Sequence, residues 1–290
     1  MPTGHIPFRG FQTWYREEGE TAPGKLPVLC LHGGPGASHD YLEPLFRLME
    51  NGRRVVMYDQ IGAGRSPATG IDWTPELFVD EVAAVRAALG LDAVHLFGSS
   101  WGGMLAMEVA LRHPAGLASL VIASSPASMT QWVEEAGKLR AQLPAHVQET
   151  LDRHEVAGTV HDPEYEAACM VFYERHVCRV VPFPDYVDRA FASLGEVYET
   201  MNGPSEFHVV GTLRDWSLVD RLPEIDVPTL VVSGEYDEAT PAINRTVSEG
   251  IPGARSVILD DASHMAHVER TDDYLALLDG FFSDVEAAAA

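Results

Sequence analysis

The chain has 290 residues, 46% of them hydrophobic, and a net charge of −23 at pH 7. This hydrophobic content excludes an intrinsically disordered protein, and the length suits one large α/β domain or a core with an inserted subdomain. The acidic excess argues against nucleic acid as a partner, because phosphate binding needs clustered Lys and Arg. An acidic surface is compatible with amine-bearing substrates and equally with a role in solubility alone.

The first 20 residues contain no apolar run of signal-peptide length, and no segment approaches the roughly 20 apolar residues of a membrane span. We therefore expect a cytoplasmic protein that has no membrane partner. The cysteines are Cys30, Cys169 and Cys178, and they show neither CxxC nor Cys/His metal spacing. We interpret them as reduced thiols.

Short apolar runs bounded by Gly, Pro, Asn or Asp predict six buried strands. They are PVLCLHG (27–33), RRVVMYDQ (53–60), VHLFG (94–98), LASLVIAS (117–124), TLVVSGEYD (229–237) and SVILDD (256–261). The predicted helices are HDYLEPLFRLMENG (39–52), TPELFVDEVAAVRAALG (74–90), WGGMLAMEVALRHP (101–114) and TDDYLALLDGFFSDVE (271–286). Alternation of strand and helix predicts an α/β fold with a mostly parallel sheet and helices on both faces.

The alternation stops after Ser124 and returns to strand at Thr229. Between about residues 125 and 221 the sequence is helix-rich, irregular and without a buried-strand run. We therefore divide the chain into a first core segment (1–124), a helical lid insertion (125–221) and a second core segment (222–290). The insertion is predicted to cover the carboxyl edge of the sheet, where open α/β sheets bind ligands.

Gly98-Ser99-Ser100-Trp101-Gly102 is the only G-x-S-x-G sequence in the chain, and it lies between a predicted strand and a predicted helix. In this context the glycines permit a sharp bend that lifts the central hydroxyl above the sheet. The pattern predicts Ser100 as a nucleophile and Ser99 as a packing residue. The alternative is an ordinary Gly-Ser turn.

A serine hydroxyl is a weak nucleophile near neutral pH and needs a base that a carboxylate orients. In folds that use this turn, the acid and then the base follow later strands. Asp237 in SGEYDEATP and His264 in DDASHMAHVE occupy those positions. His267, three residues further on, is the competing base.

Backbone N–H groups are needed to stabilise the oxyanion that forms when a serine attacks a carbonyl. The glycine-rich HGGPG (32–36) follows a predicted strand, as HGGG-type loops do in esterases and lipases. We expect the N–H groups of Gly34 and Trp101 to form this oxyanion hole. We interpret the glycines of DQIGAGRSP (59–67) as turn positions and Ser66 as a hydrogen-bonding residue.

Several of these motifs together resemble the proline iminopeptidases, which are serine exopeptidases of the α/β-hydrolase fold. They are HGGPG, DQIGAGRS (59–66), GSSWGG (98–103), GEYDE (234–238) and DASH (261–264). The resemblance spans about residues 5–284, and MNGPSEF (201–207) and GTLRDW (211–216) are similar to the tricorn-associated aminopeptidase branch. It implies release of one N-terminal residue, often proline, from a short peptide or aminoacyl amide, with no metal or organic cofactor.

In that branch, carboxylates matching Glu206 and Glu238 hold the free amino terminus of the substrate. An ammonium group that leaves water needs a paired anion, which agrees with this role. Glu235 is a third candidate. The alternative for each is a solvated surface charge.

Several substrate classes fit these motifs. The resemblance also covers L-amino-acid amidases and enzymes that remove an aminoacyl cap in natural-product biosynthesis, and the motifs alone fit a carboxylesterase. A ligand-binding relative that lacks catalytic activity is disfavoured by the intact triad.

The lid contains aromatic residues that could line a pocket or only pack the lid helices. They are Trp132, Phe172, Tyr173, Phe183, Tyr186, Phe191 and Tyr198. The sequence does not predict the oligomeric state.

Overall fold

A computed structural model describes residues 2–289, which are built around one eight-stranded sheet. The strands are β1 (Thr3–Phe8), β2 (Phe11–Glu18), β3 (Val28–Leu31), β4 (Val55–Tyr58), β5 (Val94–Ser99), β6 (Leu117–Ala123), β7 (Thr229–Gly234) and β8 (Arg255–Leu259). Their order across the sheet is β1-β2-β4-β3-β5-β6-β7-β8. The pairs β1–β2 and β2–β4 are antiparallel and the others are parallel.

Helices connect the parallel strands and form the lid. They are α1 (Pro75–Ala88), α2 (Trp101–Ala110), α3 (Met129–Arg140), α4 (Ala145–Ala157), α5 (Pro163–His176), α6 (Asp185–Phe191), α7 (Glu196–Met201), α8 (Pro241–Gly250), α9 (Ala266–Glu269) and α10 (Thr271–Ala289). Helices α3 to α7 all lie between β6 and β7, where the sequence predicts the lid, and the division at residues 124 and 221 stays a prediction. Over residues 2–289, none of the helices has the length and apolar character needed to cross a membrane.

The parallel strands β3 to β7 are buried on both faces, whereas β8, predicted as a buried strand, lies at the sheet edge and has no buried residue. In β3, Val28 and Cys30 belong to one hydrophobic cluster, while Leu29 and Leu31 belong to another. Because successive side chains of a strand point to opposite faces, the two clusters lie on opposite sides of the sheet. Helices α1, α2 and α8 cover one cluster, and α10 covers the other. The fold therefore agrees with the predicted α/β sheet with helices on both faces.

The N-terminal hairpin β1–β2 is absent from the sequence-based prediction. In β1 only Ile6 and Phe8 are buried and their neighbours are more exposed, so this edge strand lacks the continuous apolar run that marks β3 to β8. Arg9 and Gly10 form the two-residue turn, and both have positive φ, as tight hairpin turns require.

The segment predicted as a helix over 39–52 is a 3-10 helix, His39–Asn51. Pro44 lies inside it. Proline has no N–H and its ring clashes with the preceding helical turn, which disfavours a regular α-helix at this position.

Candidate active site

Ser100 lies in the sharp turn between β5 and α2. Its φ of 58° and ψ of −124° are rare for a residue with a side chain. A Cβ on Gly98 would lie 2.1 Å from the carbonyl oxygen of Gly102, and a Cβ on Gly102 would lie 2.1 Å from that of Leu31. The glycines are therefore required for strand and helix to approach closely enough to form this turn.

The two loops that follow β7 and β8 bring an acid and a base together. His264 Nδ1 lies 2.8 Å from Asp237 Oδ1, and both side chains are buried. Asp237 also accepts a hydrogen bond from the Ala239 N–H at 2.7 Å, which holds the carboxylate in place. Burial lowers the pKa of His264, but the charge and hydrogen bond of Asp237, with a contribution from Glu206, raise it above the ordinary value.

The competing histidine is engaged in the core. His267 Nε2 donates to the carbonyl oxygen of Tyr41 at 3.0 Å, and burial lowers the pKa of His267 to about 4. His264, in contrast, lines a cavity of about 430 Å³ together with Ser100. The geometry favours His264 as the base.

Two backbone N–H groups, those of Gly34 and Trp101, are the candidates for an oxyanion hole. The N–H of Gly33 already has an acceptor, because it donates to Tyr41 Oη at 2.7 Å. Gly34, the next residue in the chain, lines the cavity with Ser100. Trp101 is the first residue of α2, and the first N–H groups of a helix have no acceptor within that helix. Both candidate donors therefore lie beside the serine.

Gln60 connects the two loops that carry these donors. Its Oε1 accepts from Trp101 Nε1 at 2.9 Å, and its Nε2 donates to the His32 carbonyl oxygen at 2.8 Å. Its N–H also donates to His32 Nε2 at 2.8 Å. Burial lowers the pKa of His32 to about 4, so the ring is neutral and can accept this bond. The bridge fixes the distance between the HGGPG loop and the start of α2.

Two carboxyl groups complete the cavity. Glu206 and Glu238 line it with Ser100 and His264. Glu206 Oε1 accepts from Tyr198 Oη at 2.6 Å. Glu238 Oε1 lies 3.7 Å from His264 Nδ1, and its Oε2 is buried without a hydrogen-bond partner in residues 2–289. The site therefore holds a buried carboxyl oxygen that has no hydrogen-bond partner among the described residues.

Both carboxyl groups resist ionisation in the free protein. Burial raises the pKa of Glu206, although the Tyr198 hydrogen bond and the His264 charge oppose the shift. Burial, followed by the charges of Glu206 and Asp237, raises the pKa of Glu238 well above the ordinary value. An ammonium group between the two carboxyls would stabilise their charged forms. Glu235, the third candidate, is exposed and accepts a hydrogen bond from the Asp261 N–H.

The helices between β6 and β7, the predicted lid, contact the candidate catalytic residues directly. Trp132 Nε1 donates to the Glu206 carbonyl oxygen at 2.7 Å, and the Trp132 ring packs edge-on against His264 with centroids 6.1 Å apart. The His176 carbonyl oxygen, at the end of α5, accepts from the N–H groups of both Glu238 and His264 at 3.2 Å. The lid thus fixes the relative positions of acid, base and carboxylates.

Comparison with known proteins shows the fold and the family of the chain. The family model described as the α/β hydrolase fold matches residues 27–271. A proline iminopeptidase of Lactobacillus helveticus is 38% identical over 281 residues, which are 95% of each chain. The crystal structure of a proline iminopeptidase from Mycobacterium smegmatis shares 46% identity, a TM-score of 0.93 and full coverage of both chains. The chain belongs to the proline iminopeptidase family of α/β hydrolases. The crystal structure of VinJ is also similar, with 46% identity, a TM-score of 0.95, and coverage of 98% of this chain and 99% of that one.

Several residues of this proline iminopeptidase-family site are absent from the sequence-based prediction. Gln60 and Tyr41 contribute side-chain contacts, and His176 contributes its carbonyl oxygen. Their only sequence signal is the DQIGAGRS motif around Gln60, whose glycines predict turns. Tyr198, predicted only as a lid aromatic, donates its hydroxyl to Glu206.

Proposed function

We propose that the protein is a serine hydrolase that releases an N-terminal residue, proline in the first instance, from a short peptide or aminoacyl amide. The observation that carries this proposal is a pair of carboxyls, the half-buried Glu206 and the buried Glu238, in the same cavity as Ser100 and His264. An esterase for neutral substrates has no use for two carboxyl groups withdrawn from water beside its nucleophile. A substrate ammonium group gives them a partner.

In the first half of the reaction, Ser100 Oγ attacks the carbonyl carbon of the N-terminal residue. His264 Nε2 takes the serine proton, while its Nδ1–H remains bonded to Asp237. The N–H groups of Gly34 and Trp101 stabilise the oxyanion. His264 then gives the proton to the leaving amine, and the C–N bond breaks to leave an ester on Ser100.

In the second half, water attacks that ester. His264 takes a proton from the water, the tetrahedral intermediate forms in the same oxyanion hole, and collapse returns the proton to Ser100 Oγ. The free amino acid leaves. These steps use only side chains, backbone N–H groups and water.

The walls of the catalytic cavity suit a compact apolar acyl residue. Besides the polar groups, the cavity is lined by five apolar side chains: Val177, Ala190, Phe191, Leu194 and Met265. The proline side chain forms a ring with its own nitrogen, so it lies close to the carboxylates that bind that nitrogen. The small apolar space there favours proline or another small apolar residue at the N-terminus of the substrate.

The proposal is tested with free aminoacyl p-nitroanilides of Pro, Ala, Leu and Phe, each beside its N-acetylated twin, and with p-nitrophenyl acetate. Turnover confined to the free-amine anilides, with Pro preferred, supports an aminopeptidase. Turnover of the acetate ester alone would remove the peptidase and leave a carboxylesterase.

We further propose that the enzyme works in the cytoplasm. Its cysteines Cys30, Cys169 and Cys178 are buried thiols, and burial raises the pKa of Cys178 to about 11. Such inert thiols are typical of reducing compartments. Fractionation of the producing cells, with activity followed in each fraction, tests this location.

A further inference from the structure

Glu206 lines three cavities, and one of them differs from the others because some of its lining residues are exposed. Every residue lining the catalytic cavity is buried or half-buried, and so is every residue lining a second cavity near Met129, Trp132 and Leu213. The third, which we call the lid cavity, lies among the lid helices. It includes five exposed lining residues: His161, Glu166, Ala192, Gly195 and Glu199.

The lid cavity adjoins the catalytic cavity. Phe191, Leu194 and Glu206 line both. The lid cavity has a volume of about 1140 Å³ and the catalytic cavity one of about 430 Å³, and both volumes include space open to solvent. It is the larger space and the one with exposed walls.

We propose that the lid cavity binds the leaving group of the substrate, that is, the second and following residues of the peptide. This inference rests on the proposed function. The N-terminal residue is held at its carbonyl by Ser100 and at its ammonium by Glu206 and Glu238, so it fills the catalytic cavity. The rest of the peptide starts at the scissile nitrogen, next to Glu206, and needs a route to solvent.

The lining of the lid cavity defines the preferred leaving groups. Its deeper wall is aromatic and apolar, with Tyr165, Tyr173, Tyr198 and Met170. Its exposed rim carries the carboxylates of Glu166 and Glu199, and His161 is the only basic side chain among the lining residues. An apolar or cationic second residue is therefore favoured over an acidic one.

The charge preference is tested with prolinamide, Pro-Leu-amide, Pro-Lys-amide and Pro-Glu-amide. We expect wild-type kcat/KM for Pro-Lys-amide to exceed that for Pro-Glu-amide by about fivefold, as weak surface charge pairs produce. The double variant Glu166→Lys/Glu199→Lys reverses the preference. Glu149→Lys, an equally exposed charge change on α4 outside the lid cavity, leaves it unchanged.

The steric preference is tested with Ala192→Trp, which adds a large side chain to the exposed wall of the lid cavity. We expect kcat/KM for Pro-Leu-amide to fall about tenfold, since a misplaced substrate reacts slowly, while prolinamide, whose leaving group is ammonia, is turned over as before. Ala157→Trp, at an exposed position at the end of α4, is the matched control.

The outcomes separate this inference from the proposed function. Absence of prolinamide turnover in wild type contradicts the proposed function itself. Normal prolinamide turnover combined with an unchanged Lys/Glu ratio in the double variant, and with unchanged Pro-Leu-amide turnover in Ala192→Trp, overturns the leaving-group site alone.

Discussion

The buried position of the Glu238 carboxyl lowers the stability of the folded protein. It is 1% exposed, it adjoins Asp237 in the chain and Glu206 in the cavity, and one of its oxygens has no hydrogen-bond partner in residues 2–289. A buried carboxyl without a partner destabilises a fold when it is charged. Retention of such a group beside a nucleophile is explained by a substrate that supplies the missing cation.

The substitution Glu238→Gln is expected to stabilise the protein in a pH-dependent way. The folded-state pKa of Glu238 is raised, so the folded protein binds this proton more tightly than the unfolded chain. Stability is therefore lost as the pH rises above the ordinary carboxyl range toward the raised pKa. The variant escapes this loss, so its gain in unfolding free energy is small near pH 5 and about 1 kcal/mol at pH 8.

Thermal unfolding of the wild type and Glu238→Gln at the two pH values measures this difference. Glu235→Gln changes an exposed carboxylate nearby and serves as the control. A wild type that is more stable than Glu238→Gln at pH 8 contradicts the assignment of Glu238 as an unpaired buried acid.

Ser100→Ala is expected to lose turnover of prolyl p-nitroanilide by about 10⁴-fold or more. The fold is expected to remain, because the turn is formed by close backbone packing at Gly98 and Gly102 and alanine is no larger than serine. Circular dichroism checks the fold, and a fluorophosphonate probe is expected to label the wild type alone. Residual turnover within tenfold of wild type would place the nucleophile elsewhere.

At the scale of elements, the loops after β3, β4 and β5 act as one unit. The loop after β4 supplies Gln60, which joins the HGGPG loop to the start of α2 through His32 and Trp101. The Ile61 N–H, next in the chain, donates to the buried Glu81 of α1. Gln60 is therefore a positioning residue for the two oxyanion donors, although it touches no substrate.

Gln60→Leu is expected to lower kcat about 10- to 100-fold with little change in KM, because misplaced oxyanion donors weaken transition-state stabilisation more than substrate binding. Gln60→Glu keeps an acceptor for Trp101 Nε1 and is expected to recover part of the rate. Steady-state kinetics on prolyl p-nitroanilide separates the two constants. An unchanged kcat in Gln60→Leu would show that the bridge has no part in catalysis.

The lid is a second unit that reaches the catalytic residues. The end of α5 accepts hydrogen bonds from both catalytic loops through one carbonyl oxygen, that of His176. On α6, Arg189 forms ion pairs with Asp40 and Glu43 of the core. The lid is thus connected to the core at two places: through His176 beside the active site, and through the ion pairs of Arg189.

At the scale of the whole molecule, the strands β3 to β7 could be predicted because they are buried on both faces and therefore read as continuous apolar runs. Strand β8 lies at the edge of the sheet and has no buried residue, but its short apolar run 257–259 still marked it as a strand. The positions of Ser100, Asp237 and His264 followed from the order of these strands, since parallel strands end at the same edge of the sheet. The half-exposed hairpin β1–β2 lacked that signal.

The arrangement within the lid could not be predicted from the sequence. Glu206 reaches the cavity because Trp132, 74 residues earlier, holds its carbonyl oxygen and because Tyr198 donates to its carboxyl. Helical periodicity indicates which face of a helix is apolar, but it does not indicate which distant residue that face contacts. The role of Gln60 was missed for the same reason, because its partners lie 28 and 41 residues away.

The central claim is that buried carboxylates beside a catalytic serine recognise a substrate ammonium group. The most direct test is kcat/KM of wild type and Glu206→Gln for prolyl p-nitroanilide, with p-nitrophenyl acetate as the reference that needs Ser100 and no ammonium group. We expect the prolyl substrate to lose about 100-fold in the variant, as when one partner of a buried ion pair is removed, while the acetate ester is little changed. Equal losses on both substrates would contradict the claim.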